Sequence, residues 1–314
     1  MIRKRTQRAK NAHYCILVNK TASAYQKKPI ERLTQVIRAK GGRYTIIEPA
    51  SAMELFTQAK AMVEPPKSGK PVPVAVSRWG DVTALIACGG DGTFNLVARA
   101  ALAANIPVGV LPMGRFNNIG RALCQEVSPE AGIIKIMNGK YRTIDVGLAA
   151  DQMFFGSIGL GFIPHLAQEL EGRKLPRFAI GWSKLAAKAA SNVRPIKTII
   201  KIDAFRFELR PMILNVNLLA YSVGLPLSVA SLPDDGHAEI ILDRGDSSEE
   251  FSAYVRNIFK NKYYYGDSIS LYRGAEISVQ PTRGRTMYLD GELIELPTEY
   301  LEVRMSDKKL KVFC

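Results

Sequence analysis

The 314 residues exceed an ordinary single domain and suit two. Hydrophobic residues at 47%, charged residues at 23%, and 25 Gly with 17 Pro exclude disorder, collagen and coiled coil. The net charge of +14 is uneven: residues 1–30 and residues 172–202 each hold eight Lys/Arg and no acid, and the rest of the chain is close to neutral. This excludes a uniformly basic, histone-like coat and leaves room for a local anionic partner.

In chain order, Met1–Lys10 reads as a basic arm with no apolar stretch of signal-peptide type behind it. His13–Asn19 is a short apolar run suited to a buried strand. Lys27–Lys40 has Ile30, Leu33, Val36 and Ile37 at helical spacing and stops at Gly41-Gly42. Arg43–Glu48 reads as a strand, Ser51–Val63 as a helix and Glu64–Pro73 as a loop. Asp81–Cys88 is a third strand, Phe94–Ala104 a helix and Pro107–Leu111 a fourth strand. Continuous apolar strands alternating with helices predict a parallel sheet covered on both faces.

After about Tyr141 the period changes. Ile144–Ala150 and Gln152–Ile158 predict a hairpin, and Ile163–Glu171 and Pro176–Ala190 predict two helices. Short alternating strands follow at Lys197–Ala204, Phe205–Leu209, Ile213–Ala220, Ala238–Asp243, Ala275–Gln280, Thr286–Asp290 and Tyr300–Met305. They predict an antiparallel, sandwich-like second module. The uncharged run Pro211–Pro233 contains the period-two stretch Leu214–Leu218 and Pro226, so it reads as strand and loop rather than a membrane span. The four cysteines show no C-x-x-C, and Cys15 and Cys88 read as core residues. The three histidines are isolated in sequence.

The stretch Ala84–Asn95 carries the chemistry. A strand runs into Gly89-Gly90-Asp91-Gly92-Thr93, and a helix opens directly after it. Glycines there let backbone N–H groups approach a phosphate, and the helix N-terminus adds its positive dipole end. Thr93 can cap the helix and bond a phosphate oxygen. Asp91 suits Mg²⁺ or the orientation of the network beside it. The alternative is a glycine turn needed for backbone geometry, with Asp91 as an Asx cap. The spacing matches neither a Walker loop nor a standard dinucleotide fingerprint.

These five residues resemble the glycine loop shared by NAD kinases, 6-phosphofructokinases and the diacylglycerol/sphingosine lipid kinases. Leu111–Leu123, with Gly114, Arg115 and Asn117 at its centre, resembles the lipid kinases' L-P-x-G-T-x-N-D stretch. Pro233-Asp234-Asp235-Gly236 resembles their D-D-G turn, and Leu289-Asp290-Gly291-Glu292 their D-G-E segment. The resemblance implies a three-layer α/β/α nucleotide-binding domain over 11–141, rejoined by a last strand within about 298–314. It implies a β-rich lipid domain over 142–297. It further implies ATP and Mg²⁺ as cofactors, with Asn19, Gly89, Gly90, Asp91, Gly92, Thr93, Asn95, Gly114, Arg115 and Asn117 on the nucleotide. Asp290 is then a general base, Glu292 and Asp91 assist catalysis, and Asp234 and Asp235 belong to a metal-linked region. As plain sequence, Asp290-Gly291 equally reads as a hairpin turn.

Four features depart from the family pattern, one being the Gly-rich turn ahead of the D-D-G segment, which has only Gly224. Arg115 stands where the family has Thr or Ser, Asn118 where it has an acid, and Asn19–Ser23 lacks the usual proline and glycine. An arginine can grip a phosphate in two-pronged fashion or fill the pocket. The expected function is therefore phosphoryl transfer from ATP to a hydroxyl of a diacylglycerol-like lipid. The alternatives are a binding-only relative disabled by Arg115 and the altered first loop at Asn19–Ser23, and a kinase of a soluble substrate such as NAD. The expected setting is cytoplasmic and peripheral at the inner face of an anionic membrane, with homodimerisation left open. Pro176–Ala190 would lie on lipid through Phe178, Trp182, Leu185 and Ala189 with Lys184 and Lys188 beside them, or pack on the core. No nucleic-acid motif is present, although Lys262–Tyr265 is basic and aromatic.

Overall fold

The computed structural model describes residues 11–64, 81–124, 127–176, 178–243, 248–258 and 269–314. The arm Met1–Lys10, most of the Glu64–Pro73 loop, Arg177 and the Lys262–Tyr265 cluster lie outside the described residues. The chain divides into two compact units, Met1–Ile144 with Lys308–Cys314, and Asp145–Asp307.

The first unit runs β1 (His13–Val18), α1 (Lys27–Ala39), β2 (Arg43–Ile47), α2 (Ala52–Ala61), β3 (Ala84–Gly89), α3 (Asp91–Ala103), β4 (Val108–Pro112), α4 (Asn118–Cys124), α5 (Pro129–Asn138) and β5 (Tyr141–Ile144). β1, β3 and β4 are buried along their whole length, as expected of strands covered on both faces. Tyr14, Ile16 and Val18 face Ile30, Leu33 and Ile37 of α1 and Ile133 and Ile136 of α5 in one core layer. α3 packs on β3 with α2 beside it. Ser51 caps α2 through the Glu54 N–H at 3.1 Å. Burial pushes the Cys15 thiol up to about 12 and raises that of Cys88 too, the behaviour of core cysteines.

The second unit continues with β6 (Gly147–Ala149), β7 (Gln152–Phe154), β8 (Ser157–Gly161), α6 (Phe162–Leu170), α7 (Ala179–Asn192), β9 (Thr198–Ile202), β10 (Phe205–Leu209), β11 (Ile213–Asn217), the ribbon β12 (Tyr221–Ser222) and β13 (Leu225–Pro226), and β14 (Ala238–Asp243). It closes with α8 (Ser248–Ile258), β15 (Ile269–Gly274), β16 (Glu276–Gln280), β17 (Thr286–Leu289), β18 (Glu292–Glu295) and β19 (Leu301–Met305), and β20 (Leu310–Phe313) then belongs to the first unit. Two six-stranded sheets, β10-β9-β16-β19-β6-β7 and β15-β14-β11-β8-β17-β18, share one apolar core. Ile200, Ile277 and Val303 of the first meet Leu160, Val216 and Ile240 of the second, which makes the unit a sandwich. α6 covers β8 and β11 on the other side, where Asn215 and Asn217 are fully buried and joined by an Nδ2–Oδ1 bond of 2.6 Å.

Two boundaries differ from expectation. β19 pairs with β16 and β6, so the returning segment is shorter than 298–314. Only β20 joins the first unit, parallel to β4 and antiparallel to β5, in the order β2-β1-β3-β4-β20-β5. The hairpin expected through Ile158 ends at Phe154, because the amides of Phe155, Gly156 and Ser157 turn towards the Asp290 carboxylate. Ser157 then opens β8 in the other sheet.

Candidate functional site

In the first unit, β1 lies between β2 and β3, so the chain winds in opposite directions from the β1/β3 pair. Open α/β sheets bind ligands at the carboxyl ends of strands beside such a reversal. The loops after β1, β3 and β4 meet there. Asn19 donates its backbone N–H to Cys88 O at 2.9 Å and its Nδ2 to Thr93 Oγ1 at 3.1 Å. Its Oδ1 accepts the Thr21 N–H at 3.0 Å and the Thr21 hydroxyl at 2.7 Å. A side chain from the β1 loop thus ties down the first turn of α3.

Gly90 is the N-cap of α3, with φ −92° and ψ −168°, and Asp91, Gly92 and Thr93 form its first turn. The expected helix at Phe94 therefore starts three residues earlier, and Thr93 does not cap it. Its hydroxyl is already inside the helix and meets Asn19 instead. Two glycines are required by contact with the chain itself. A Cβ on Gly89 would lie 2.4 Å from Thr93 Oγ1, and one on Gly114 would lie 2.2 Å from Gly90 Cα. The β3 and β4 loops touch backbone to backbone. Asn117, at φ +51°, holds the second loop by accepting the Gly114 N–H at 2.8 Å and donating to Gly114 O at 2.9 Å. Arg115 is half-buried in that turn, and Asn95 is buried on α3.

Asp91 is 7% exposed. Its Oδ1 accepts the Ile119 N–H at 3.0 Å and its Oδ2 accepts Asn118 Nδ2 at 3.2 Å. It caps α4 from another element and suits the N-terminus of α3 by charge. The amide at Asn118, a departure from the family's acid, thereby becomes a donor to Asp91.

In the second unit, Asp290 and Gly291 have φ +46° and +106° and form the two-residue turn between Leu289 and Glu292. The hairpin reading and a special role coexist. Asp290 is 4% exposed, and its carboxylate accepts the N–H groups of Phe155 at 2.6 Å and of Gly156 and Ser157 at 2.9 Å each. Three amides on four lone-pair sites leave at most one for any further partner. Glu292 is exposed across the turn.

The D-D-G turn is pinned differently. Asp145, 3% exposed, accepts the Gly236 N–H on Oδ2 at 2.8 Å and donates its own N–H to Pro233 O at 2.6 Å. Asp235 takes the Arg273 guanidinium and the His237 N–H, and Arg273 Nε lies 3.6 Å from Glu239 Oε1. Burial raises the Glu239 carboxyl, with Arg273 opposing the shift. A guanidinium on Asp235 does not suit the expected metal pair, because it occupies an oxygen that a metal would take. Among the described residues, no group of three or more His, Cys, Asp or Glu is arranged to hold a metal.

Sequence reasoning missed Asp145, whose one visible signal was an acid inside the apolar run Ile144-Asp145-Val146. It also missed Arg273 and the Phe155–Ser157 amides, which carry no signal at all. No helix among the described residues is long and apolar enough to cross a membrane.

Residues 13–149 match the diacylglycerol kinase catalytic domain family. A diacylglycerol kinase of Staphylococcus saprophyticus is 24% identical over 82% of this chain and 92% of its own length. One of Mycobacterium tuberculosis is 24% identical over 72% and 75%. The crystal structure of a diacylglycerol kinase from Bacillus anthracis superposes with a TM-score of 0.66 at 14% identity, covering 96% of each chain, a likeness of fold. The glycine loop, the Asn117 turn and strands β1 to β5 lie inside the matched segment and β20 lies outside it, so it is over residues 13–149 that this chain is similar to the diacylglycerol kinase catalytic domain family.

Proposed function

We propose that this chain transfers the γ-phosphate of ATP to a hydroxyl of a diacylglycerol-like membrane lipid. The observation that carries the reading is the convergence of Asn19, Gly89–Thr93 and Gly114–Asn117 on the carboxyl ends of β1, β3 and β4, inside the matched segment. The phosphates rest on the first turn of α3, where the backbone N–H groups of a helix start and the helix dipole favour an anion. Arg115 binds phosphate oxygens in two-pronged fashion. Asp91 is the carboxylate that this loop would offer to a nucleotide-bound Mg²⁺. When bound, the ion neutralises charge on the transferring group. The acceptor's proton passes to one of the two hairpin carboxylates, Asp290 or Glu292.

Transfer of ³²P from ATP with Mg²⁺ into diacylglycerol, NAD or water tests the reading. Label in the lipid that Gly114→Ala abolishes supports it. Label in NAD overturns the acceptor class, and ATP binding without transfer to any acceptor overturns the enzyme. The pH–rate profiles of Asp290→Asn and Glu292→Gln then identify the proton acceptor, as the variant that loses the acid limb of kcat.

A further inference from the structure

The start of α7 is shaped to stand out from the second unit. Gly181 lets the preceding segment fold back on the helix, since a Cβ there would lie 2.8 Å from Pro176 Cβ. Trp182 fixes that fold by donating its indole N–H to Pro176 O at 3.0 Å. The buried side of α7 is made of Ala186 and Ala189, both fully buried. Phe178 and Ile180 therefore point outwards, 73% and 70% exposed. This corrects the expectation that Phe178 shares a face with Ala189. Phe178 is the helix N-cap in extended conformation, outside the helical register.

Cations surround this apolar tip. Lys174 precedes it, and Lys184 follows Ile180 by one turn on the same face. Both are exposed, and neither makes an ion pair among the described residues. Glu169 of α6, the acid that faces α7, is taken by Lys188 at 2.8 Å and Arg173 at 3.7 Å. Glu171 is the exposed acid nearby, and residues 172–202 contain none.

We propose that this tip docks on an anionic lipid bilayer, with Phe178 and Ile180 entering the headgroup boundary and Lys174 and Lys184 reaching lipid phosphates. Two outward-facing apolar side chains flanked by cations match a surface that is apolar below and negative above. The identity of the partner rests on the lipid-kinase reading, because a hydroxyl held in a membrane must be met at its surface.

The test is co-sedimentation with vesicles of equal parts phosphatidylglycerol and phosphatidylcholine, against phosphatidylcholine alone, without ATP. The chain is expected to prefer the anionic vesicles. Phe178→Ser/Ile180→Ser should lower partition about tenfold at any salt concentration. Lys174→Gln/Lys184→Gln should lower it about 25-fold at low salt, at roughly fivefold per cation, and have no effect at high salt. All four residues are exposed, so melting temperatures should not move. Wild-type partition in either double variant overturns the surface, as does a wild-type chain that ignores anionic vesicles. Phosphoryl transfer to a dispersed short-chain diacylglycerol is read separately. Its absence in the wild type defeats the kinase reading and leaves the vesicle result standing.

Discussion

Asp91 and Asp290 are both buried aspartates beside a glycine in a tight turn, 7% and 4% exposed. They hold the fold in different ways. Asp91 has helical backbone and joins two helix starts, taking one backbone amide and the Asn118 side chain. Asp290 stands at φ +46° and gathers three successive amides from the entry to the neighbouring strand β8. The first arrangement is a charged cap that keeps a neighbouring polar side chain as partner. The second is a clamp on the main chain, with no side chain to take its place. The same residue type in two glycine turns can thus be a network element in one and a backbone anchor in the other.

The sharpest way to break this comparison is Asp290→Ala. Three buried amides lose their acceptor, and at about 1–3 kcal/mol for each unmet group the loss should be about 3 kcal/mol or more in denaturant unfolding. An unchanged midpoint would show that water replaces the carboxylate and that the clamp is not structural. Gly114→Ala comes next. Its Cβ would meet Gly90 Cα at 2.2 Å, with backbone on both sides, so one loop must shift. Overpacking of this kind costs about 1–3 kcal/mol. ATP affinity measured by calorimetry should fall more steeply than stability if the displaced loops are the proposed nucleotide site.

Asn118→Asp sharpens the Asp91 side. It restores the family's acid 3.2 Å from Asp91 and sets two carboxylates together. Stability should fall by about 1 kcal/mol at neutral pH and recover on adding Mg²⁺. A variant as stable as the parent without the cation would mean that the Asp91 pocket is too open for the charges to matter.

The smallest effect belongs at the opposite end of β1. His13, 8% exposed, shares Nε2 with Thr45 Oγ1 at 2.8 Å. Burial, with Arg43 adding to it, holds its pKa below the ordinary 6.5. The unfolded chain then binds the proton more readily. Stability is full above pH 6.5 and declines as the pH falls from there through the folded-state value. His13→Gln should flatten that decline while leaving ATP binding untouched, which sets this end of the strand apart from Asn19.

Much of the first unit was legible. Apolar runs at His13–Val18 and Ala84–Gly89 are buried on both faces, and a strand buried on both faces has to be apolar throughout. The glycine loop was legible because three glycines in four positions are rare outside a close approach. The start of α3 was misjudged for the same reason, since glycines rank low as helix formers and Gly92 nonetheless sits inside the first turn. α4, α5 and α8 went unread. α4 is a single short stretch held by a cap from elsewhere.

The sequence by itself determined the alternation of strand and helix, the antiparallel second half and the motifs of the segment that matches the kinase family, because periodicity and short motifs are local properties of the chain. Only the tertiary structure decided what the acids do. Asp91 reaches an amide 28 residues away and Asp290 one 135 residues away. The Phe155–Ser157 amides belong to every sequence alike, and it is the stacking of strands, invisible in any local pattern, that turns them towards one carboxylate.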